Sequence, residues 1–180
     1  MPDAGPPVIA PFGGRTPDVP RSVFVAPTAV VVGDVVLGED TSVWYGCVIR
    51  GDVGPIRVGA RTNLQDGCIL HVTRGRRPLV VGNDVTAGHR AVLHGATIGD
   101  RCLIGMGAIV LDDAEIGEET LIAAGSVVLE GTRVPPRSFV AGVPASVRGP
   151  IPDPIRATLL TSAANYVALA REHAPLHASR

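Results

Sequence analysis

The hydrophobic pattern of this chain repeats every six residues. From Ile98 the steps fall on Ile104, Val110, Ile116, Ile122, Val128, Val134 and Val140, all β-branched aliphatics. Four positions after each aliphatic from Ile98 to Val134 comes a small residue: Cys102, Ala108, Ala114, Thr120, Ser126, Thr132 and Ser138. Upstream the register runs Val25, Val31, Leu37, Val43 and Ile49. It resumes after short insertions at Val58, Leu64 and Leu70, and again at Val81, Ala87 and Leu93. This period is neither the 3.6 of an amphipathic helix nor the plain alternation of a strand. Each six-residue unit reads as a short strand and a turn, with the aliphatic inward and the small residue near the corner. Such a unit cannot bury its apolar face alone, so the units must stack into a coil.

The periodicity ends near residue 149. Beyond it, Ile155, Leu159, Ala163, Tyr166 and Ala170 follow helical spacing. Asp153 as N-cap and Pro154 at the first helical position predict a helix over 154–172, packed along the outside of the coil. The segment after it reads as a frayed tail. The start, "MPDAGPPVIAPFGGRTPDVP", reads as a Pro/Gly arm wrapping the domain. The predicted organisation is an arm at 1–20, a β-helix at 21–149, and a helix with tail at 150–180.

The repeat resembles the hexapeptide-repeat family. That resemblance implies a mainly β fold, a left-handed parallel β-helix of triangular cross-section with three hexapeptides per coil. Composition agrees. Apolar residues make up 46% of the chain but aromatics only 3%, which suits a narrow, aliphatic interior. A formal net charge of −1 gives no reason to expect nucleic acid or an anionic membrane as partner. No apolar run approaches the roughly 20 residues of a membrane span. The first residues lack the basic and apolar regions of a signal peptide, and three cysteines fit a reducing setting, so the cytoplasm is expected.

Three units per coil place residues above one another. From Leu70 the next starts are Val81, Ala87 and Leu93, one full turn. His71 and His94, each following its inward aliphatic, therefore stack one inter-strand spacing apart and point outward. Two imidazoles so placed can share one metal ion. His89 falls in the preceding unit, near a corner, in a column with Tyr45 and Asp66. Around a convex prism it points away from the other pair. A neighbouring prism in a closed three-fold assembly would bring it in.

The strings "VWYGCVIRGD" and "NLQDGCILHV…VGNDVTAGHRAVLHGATIGDRCLIGMGAIVLDDAEIG" look like the gamma-class carbonic anhydrases. The resemblance implies a homotrimer in which His71, His89 and His94 bind zinc or ferrous iron between subunits, two from one subunit and one from the next. It implies that the metal activates a water for attack on CO2, giving bicarbonate. It further implies that Arg50 and Asp52 make charge contacts ordering the site, and that Asn63, Gln65 and Asp66 hydrogen-bond bound water or ligands. Ordinary corner chemistry is the other reading of those three. Tyr166 either closes the site from the helix or simply packs there.

The chain departs from the pattern in one respect. Where the family's best-studied form carries acidic proton-shuttle loops, this sequence reads "RGDVGP", with Val53, and "HVTRGRRPL". The basic run Arg74–Arg77 reads as a solvated loop, or as an attractor of anions. Cys47, Cys68 and Cys102 sit at the small position and read as inward packing; Cys47 and Cys68 share a column, but a reducing setting disfavours a disulfide. Two other functions remain open: acyl-CoA transfer or thioester hydrolysis, suggested by "VAGVPASVRG", and a trimeric scaffold or small-ligand binder with a weakly active site.

Overall fold

A computed structural model of the chain describes residues 5–178. Short parallel strands wind into a three-faced coil. On the first face, Val30–Val32 pairs with Val48–Arg50, and the ladder climbs through Ile69–His71, Val92–His94, Ile109–Val110 and Val127–Val128. On the second, Ile56–Val58 is followed by Leu79–Val81, Thr97–Ile98, Glu115–Ile116 and Arg133–Val134. The third climbs from Phe24–Val25 through Ser42–Val43, Asn63–Leu64, Thr86–Ala87, Leu103–Ile104 and Leu121–Ile122 to Ser138–Gly142. An antiparallel strand, Ala145–Pro150, closes this sheet, so "VAGVPASVRG" forms a hairpin that terminates the coil.

The six-residue aliphatics fill the interior. Leu64, Leu70, Leu93, Ile104 and Ile122 are completely buried, each contributing about 1.5–3 kcal/mol by leaving water. The corner geometry adds what the pattern did not show. The residue before each small position adopts a left-handed conformation, at Gly46, Gly67, Gly107 and Gly125 but also at Arg90, Arg101, Asp113 and Glu119. The glycine after many aliphatics has a packing cause. A Cβ on Gly117 would sit 2.3 Å from the backbone nitrogen of Pro136 on the next coil.

The arm adds to the structure rather than merely wrapping it. Val8–Ala10 pairs in parallel with Val30–Val32, extending the first face by a strand, and Asp18 bridges to Val36. Residues 1–4 lie outside the described part.

The long helix runs Asp153–His173 and lies over the third face, against Ser42–Val43, Asn63–Leu64 and Thr86–Ala87. Its start differs from expectation. Pro152 is the N-cap and makes no side-chain capping bond, while Asp153 and Pro154 are already in the first turn. Leu159, Ala163 and Ala170 are buried, as the helical spacing predicts, and Tyr166 is half-buried. Ile155, in the first turn, is 40% exposed instead. The helix is fixed by Ser162 Oγ, 2.9 Å from Thr86 Oγ1, and by aromatic packing of Tyr166 and His173 on Trp44. The tail is not wholly frayed: Pro175–Ala178 forms a further helical turn, and residues 179–180 lie outside the described part. Among the described residues no helix is long and apolar enough to cross a membrane.

Candidate functional site

The first face carries two groups of polar residues on its opposite edges. At its far edge His71 and His94 are in direct register, each the last residue of its strand. His71 Nδ1 lies 3.0 Å from His94 Nε2. The remaining nitrogens face carboxylates. His71 Nε2 donates to Asp52 Oδ1 at 3.1 Å, and His94 Nδ1 donates to Asp112 Oδ2 at 2.9 Å. Arg50 pairs with Asp52 from the same strand. Burial pulls the Asp52 carboxyl upward, but hydrogen bonds from Arg50 and His71 outweigh it and leave it below the usual carboxylate range. For His71, burial outweighs the help of Asp52 and lowers its pKa below the ordinary histidine value. A neutral imidazole is what a metal needs as ligand.

These bonds have a geometric consequence. With each ring's proton held by a carboxylate, the other nitrogens present lone pairs to one another at 3.0 Å. Such an arrangement calls for positive charge between them, supplied by a shared proton or by a metal ion. Two nitrogens sharing a tetrahedral zinc, with bonds of about 2.0–2.1 Å, sit about 3.3 Å apart. The pair therefore fits a shared metal ion with little movement, and the carboxylates behind it are the usual outer partners of metal-binding histidines.

The second group lies at the near edge, in the turns leading into the first face. His89 Nδ1 is 2.9 Å from Asp66 Oδ2, and both side chains are nearly half exposed. Stacking is by column: the amide of Arg90 donates to Asp66 O, and that of Gly67 to Tyr45 O. Burial raises the Tyr45 and Tyr166 pKa values, with the charge of Asp66 adding to the effect. A strand rises about 3.3 Å per residue, so the five steps from His89 to His94 cover up to about 16 Å. Among the described residues no three His, Cys, Asp or Glu side chains are grouped to hold a metal. One chain thus presents a pair of imidazoles at one edge and a single one at the other.

Asn63 and Gln65 belong to neither edge. Asn63 is buried beneath the long helix, donating to Thr86 Oγ1 at 2.9 Å, and Gln65 Nε2 donates to Asn63 Oδ1 at 3.2 Å. Tyr166 stands with its ring against Trp44, 5.6 Å between centroids. The basic loop is not simply solvated. Arg76 pairs with Glu130, and Arg77 Nη1 lies 2.8 Å from Glu115 Oε1. Cys47, Cys68 and Cys102 are buried free thiols, and burial pushes Cys102 up to about 12. Asp112 was not among the residues the sequence singled out. Its only signal was a position two residues past Val110, which stacks on Leu93.

Between the two edges runs an apolar ladder. Val8, Val30, Val48, Ile69, Val92, Ile109 and Val127 are in register and face outward. None is buried, and Val8 and Ile69 are exposed. The second face instead presents Arg57, Val80, Thr97, Glu115 and Arg133 at the equivalent positions, a single aliphatic among polar residues. The helix lies over Ser42–Val43, Asn63–Leu64 and Thr86–Ala87 of the third. A continuous, partly exposed apolar row of this length is a candidate association surface.

Fold and repeat place the chain among hexapeptide-repeat proteins: residues 95–130 match the family model described as bacterial transferase hexapeptide (six repeats). Full-length relatives narrow this. The chain is 49% identical over 151 residues to the "Probable carbonic anhydrase" of Methanocaldococcus jannaschii, covering 84% of this chain and 94% of that one. It is 46% identical over 166 residues to Protein YrdA of Escherichia coli, covering 89% and 90%. To Gamma carbonic anhydrase 1, mitochondrial, of Arabidopsis thaliana it is 42% identical over 165 residues, covering 89% of this chain but only 60% of the plant protein. The chain belongs to the gamma carbonic anhydrase family. Among solved structures, a hexapeptide transferase family protein from Anaplasma phagocytophilum superposes with a TM-score of 0.88 at 39% identity, covering 92% of this chain and 98% of that one. A Bacillus cereus protein provisionally described as an acetyltransferase gives 0.92 at 39% identity, covering 95% and 99%.

Proposed function

We propose that this protein is a metal-dependent carbonic anhydrase that interconverts CO2 and bicarbonate at centres shared between subunits of a homotrimer. His71 and His94 of one subunit and His89 of the next form each donor set. The observation that carries this reading is the 3.0 Å approach of His71 Nδ1 and His94 Nε2, each ring backed by a carboxylate. The apolar ladder supports the assembly. It lies between the paired and the single histidine, so a heterologous contact repeated around a three-fold axis sets one subunit's near edge against another's far edge.

His71 and His94 of one subunit with His89 of the next would hold a zinc or ferrous ion, which would supply the Lewis acidity that makes water a nucleophile at neutral pH. The chain's own residues do the rest. Asp52 and Asp112 hold the protons of His71 Nε2 and His94 Nδ1, leaving the facing nitrogens free to bind. Arg50 keeps Asp52 ionised. Asp66 orients His89. Gln65, anchored through Asn63, borders the column of Asp66 and takes a positioning role toward water or bicarbonate, with Tyr166 behind it. Hydration of CO2 releases bicarbonate and one proton. With Val53 in one loop and the ion-paired Arg76 and Arg77 in the other, neither loop offers an unpaired carboxylate for that proton among the described residues, and it passes to buffer. The cytoplasm suits three free thiols.

Anaerobic loading with zinc or iron tests the reading. One metal ion per chain is expected, together with CO2 hydration well above that of His94→Ala in stopped flow. Absence of stoichiometric metal contradicts it. The structural relatives described as transferases favour a second reading, acyl-CoA chemistry; saturable acyl-CoA binding undisturbed by chelator would support that one instead.

A further inference from the structure

We propose that Asp112 is the positioning residue for His94, fixing the ring with its proton on Nδ1 and its free nitrogen toward His71; as a contributor to metal affinity this rests on the shared-metal reading above.

The geometry around Asp112 spans three coils. Its Oδ2 accepts from His94 Nδ1 at 2.9 Å and from Thr73 Oγ1 at 3.2 Å. Thr73 lies two residues past His71, so one carboxylate oxygen ties the segments carrying both stacked histidines. The other oxygen, Oδ1, is buried and has no hydrogen-bond partner among the described residues. Leaving such an atom buried and unpaired is unfavourable, the more so for a charged group. A carboxylate free to rotate would turn Oδ1 toward water. Here the two donors on Oδ2 hold it.

Gly95 makes the placement possible. Any Cβ at residue 95 would lie 2.1 Å from Asp112 Oδ1. The residue beside His94 is thus empty on the side where the carboxylate comes in. A negative charge held there, behind Nδ1–H, makes the far nitrogen a stronger donor to a cation, as outer-shell carboxylates do. Asp52 serves His71 in the mirror sense, through Nε2. The two carboxylates together force the two free nitrogens to face each other.

Histidine-labelled, metal-free protein tests the positioning without any metal or activity. Long-range nitrogen–proton NMR is expected to show His94 as the Nδ1–H tautomer, and Asp112→Ala to convert it to a mixture or to Nε2–H. Asp112→Asn keeps an acceptor oxygen and is expected to retain the wild-type tautomer. In zinc competition titrations, Asp112→Ala should bind about 10–100-fold more weakly, with Asp112→Asn between it and wild type. Thermal melts confirm that each variant is folded. An Nε2–H tautomer in wild type, or an Asp112→Ala variant with unchanged tautomer and zinc affinity within about twofold, overturns the proposal. Wild-type protein that shows the Asp112-dependent tautomer yet binds no zinc overturns the shared-metal reading while upholding the positioning role.

Discussion

At the residue scale, the far edge of the first face depends on backbone as much as on side chains. Gly95 has φ +56 and no room for a Cβ beside Asp112. Gly95→Ala is therefore expected to destabilise the fold by about 1–3 kcal/mol through left-handed strain, plus displacement of the carboxylate. Urea denaturation of the two proteins measures this, and equal midpoints would contradict it. The stacking of His71 on His94 was legible in the sequence, because a period of six with three units per coil fixes which residues lie in register. Asp112 was not legible. Its carboxylate reaches back across a coil from a position two past the inward aliphatic, whereas both histidines sit one past. Column arithmetic matches like positions and is blind to such offsets. The same limit hid the covering of Asn63, which comes from the helix rather than from the repeat.

At the element scale, the outward positions divide the prism by function. The ladder through Ile69 and Val92 shows its aliphatics to solvent, while the core needs none of them. Ile69→Glu is expected to leave the coil folded but to disperse the assembly, read by sedimentation as a fall to monomer mass. A variant that stays trimeric would show that another face is used. The helix has its own anchor at the opposite edge of the third face. Glu119, 5% exposed, meets Arg156 of the helix at 2.6 Å, Arg101 at 3.2 Å and Arg137 at 3.4 Å. The hydrogen bond from Arg156, against the cost of burial, holds its carboxyl below the usual glutamate range. A depressed pKa stabilises the fold fully at neutral pH. The contribution begins to fade as pH drops through about 4.3, the unfolded value, and is lost below the folded one. Melts of wild type and Glu119→Gln should thus differ at pH 7 and converge in acid; a gap constant down to pH 3 would contradict the anchor. The helix was legible in the spacing of Leu159, Ala163 and Ala170. Its start was not: Asp153 looks like a cap in sequence, but the proline before it already has the extended geometry of the N-cap position.

At the scale of the whole molecule, the five-residue spacing between His89 and His94 finds its physical cause. A corner and a strand separate them, and among the described residues of one chain no three ligands are grouped; in the proposed trimer the apolar ladder between them is the surface that would bring a second copy into place. The most direct test of this account is complementation between two inactive variants. His89→Ala and His94→Ala, each carrying a different tag, are co-expressed and the doubly tagged assemblies are assayed for bound metal. Each variant alone is predicted to hold none. In mixed assemblies, the site where His89→Ala supplies the pair and His94→Ala supplies the single histidine is intact, so about a third of the wild-type metal should return in the doubly tagged trimers. Mixed assemblies that recover no metal would contradict a centre built from two subunits, as would either variant binding a full complement by itself.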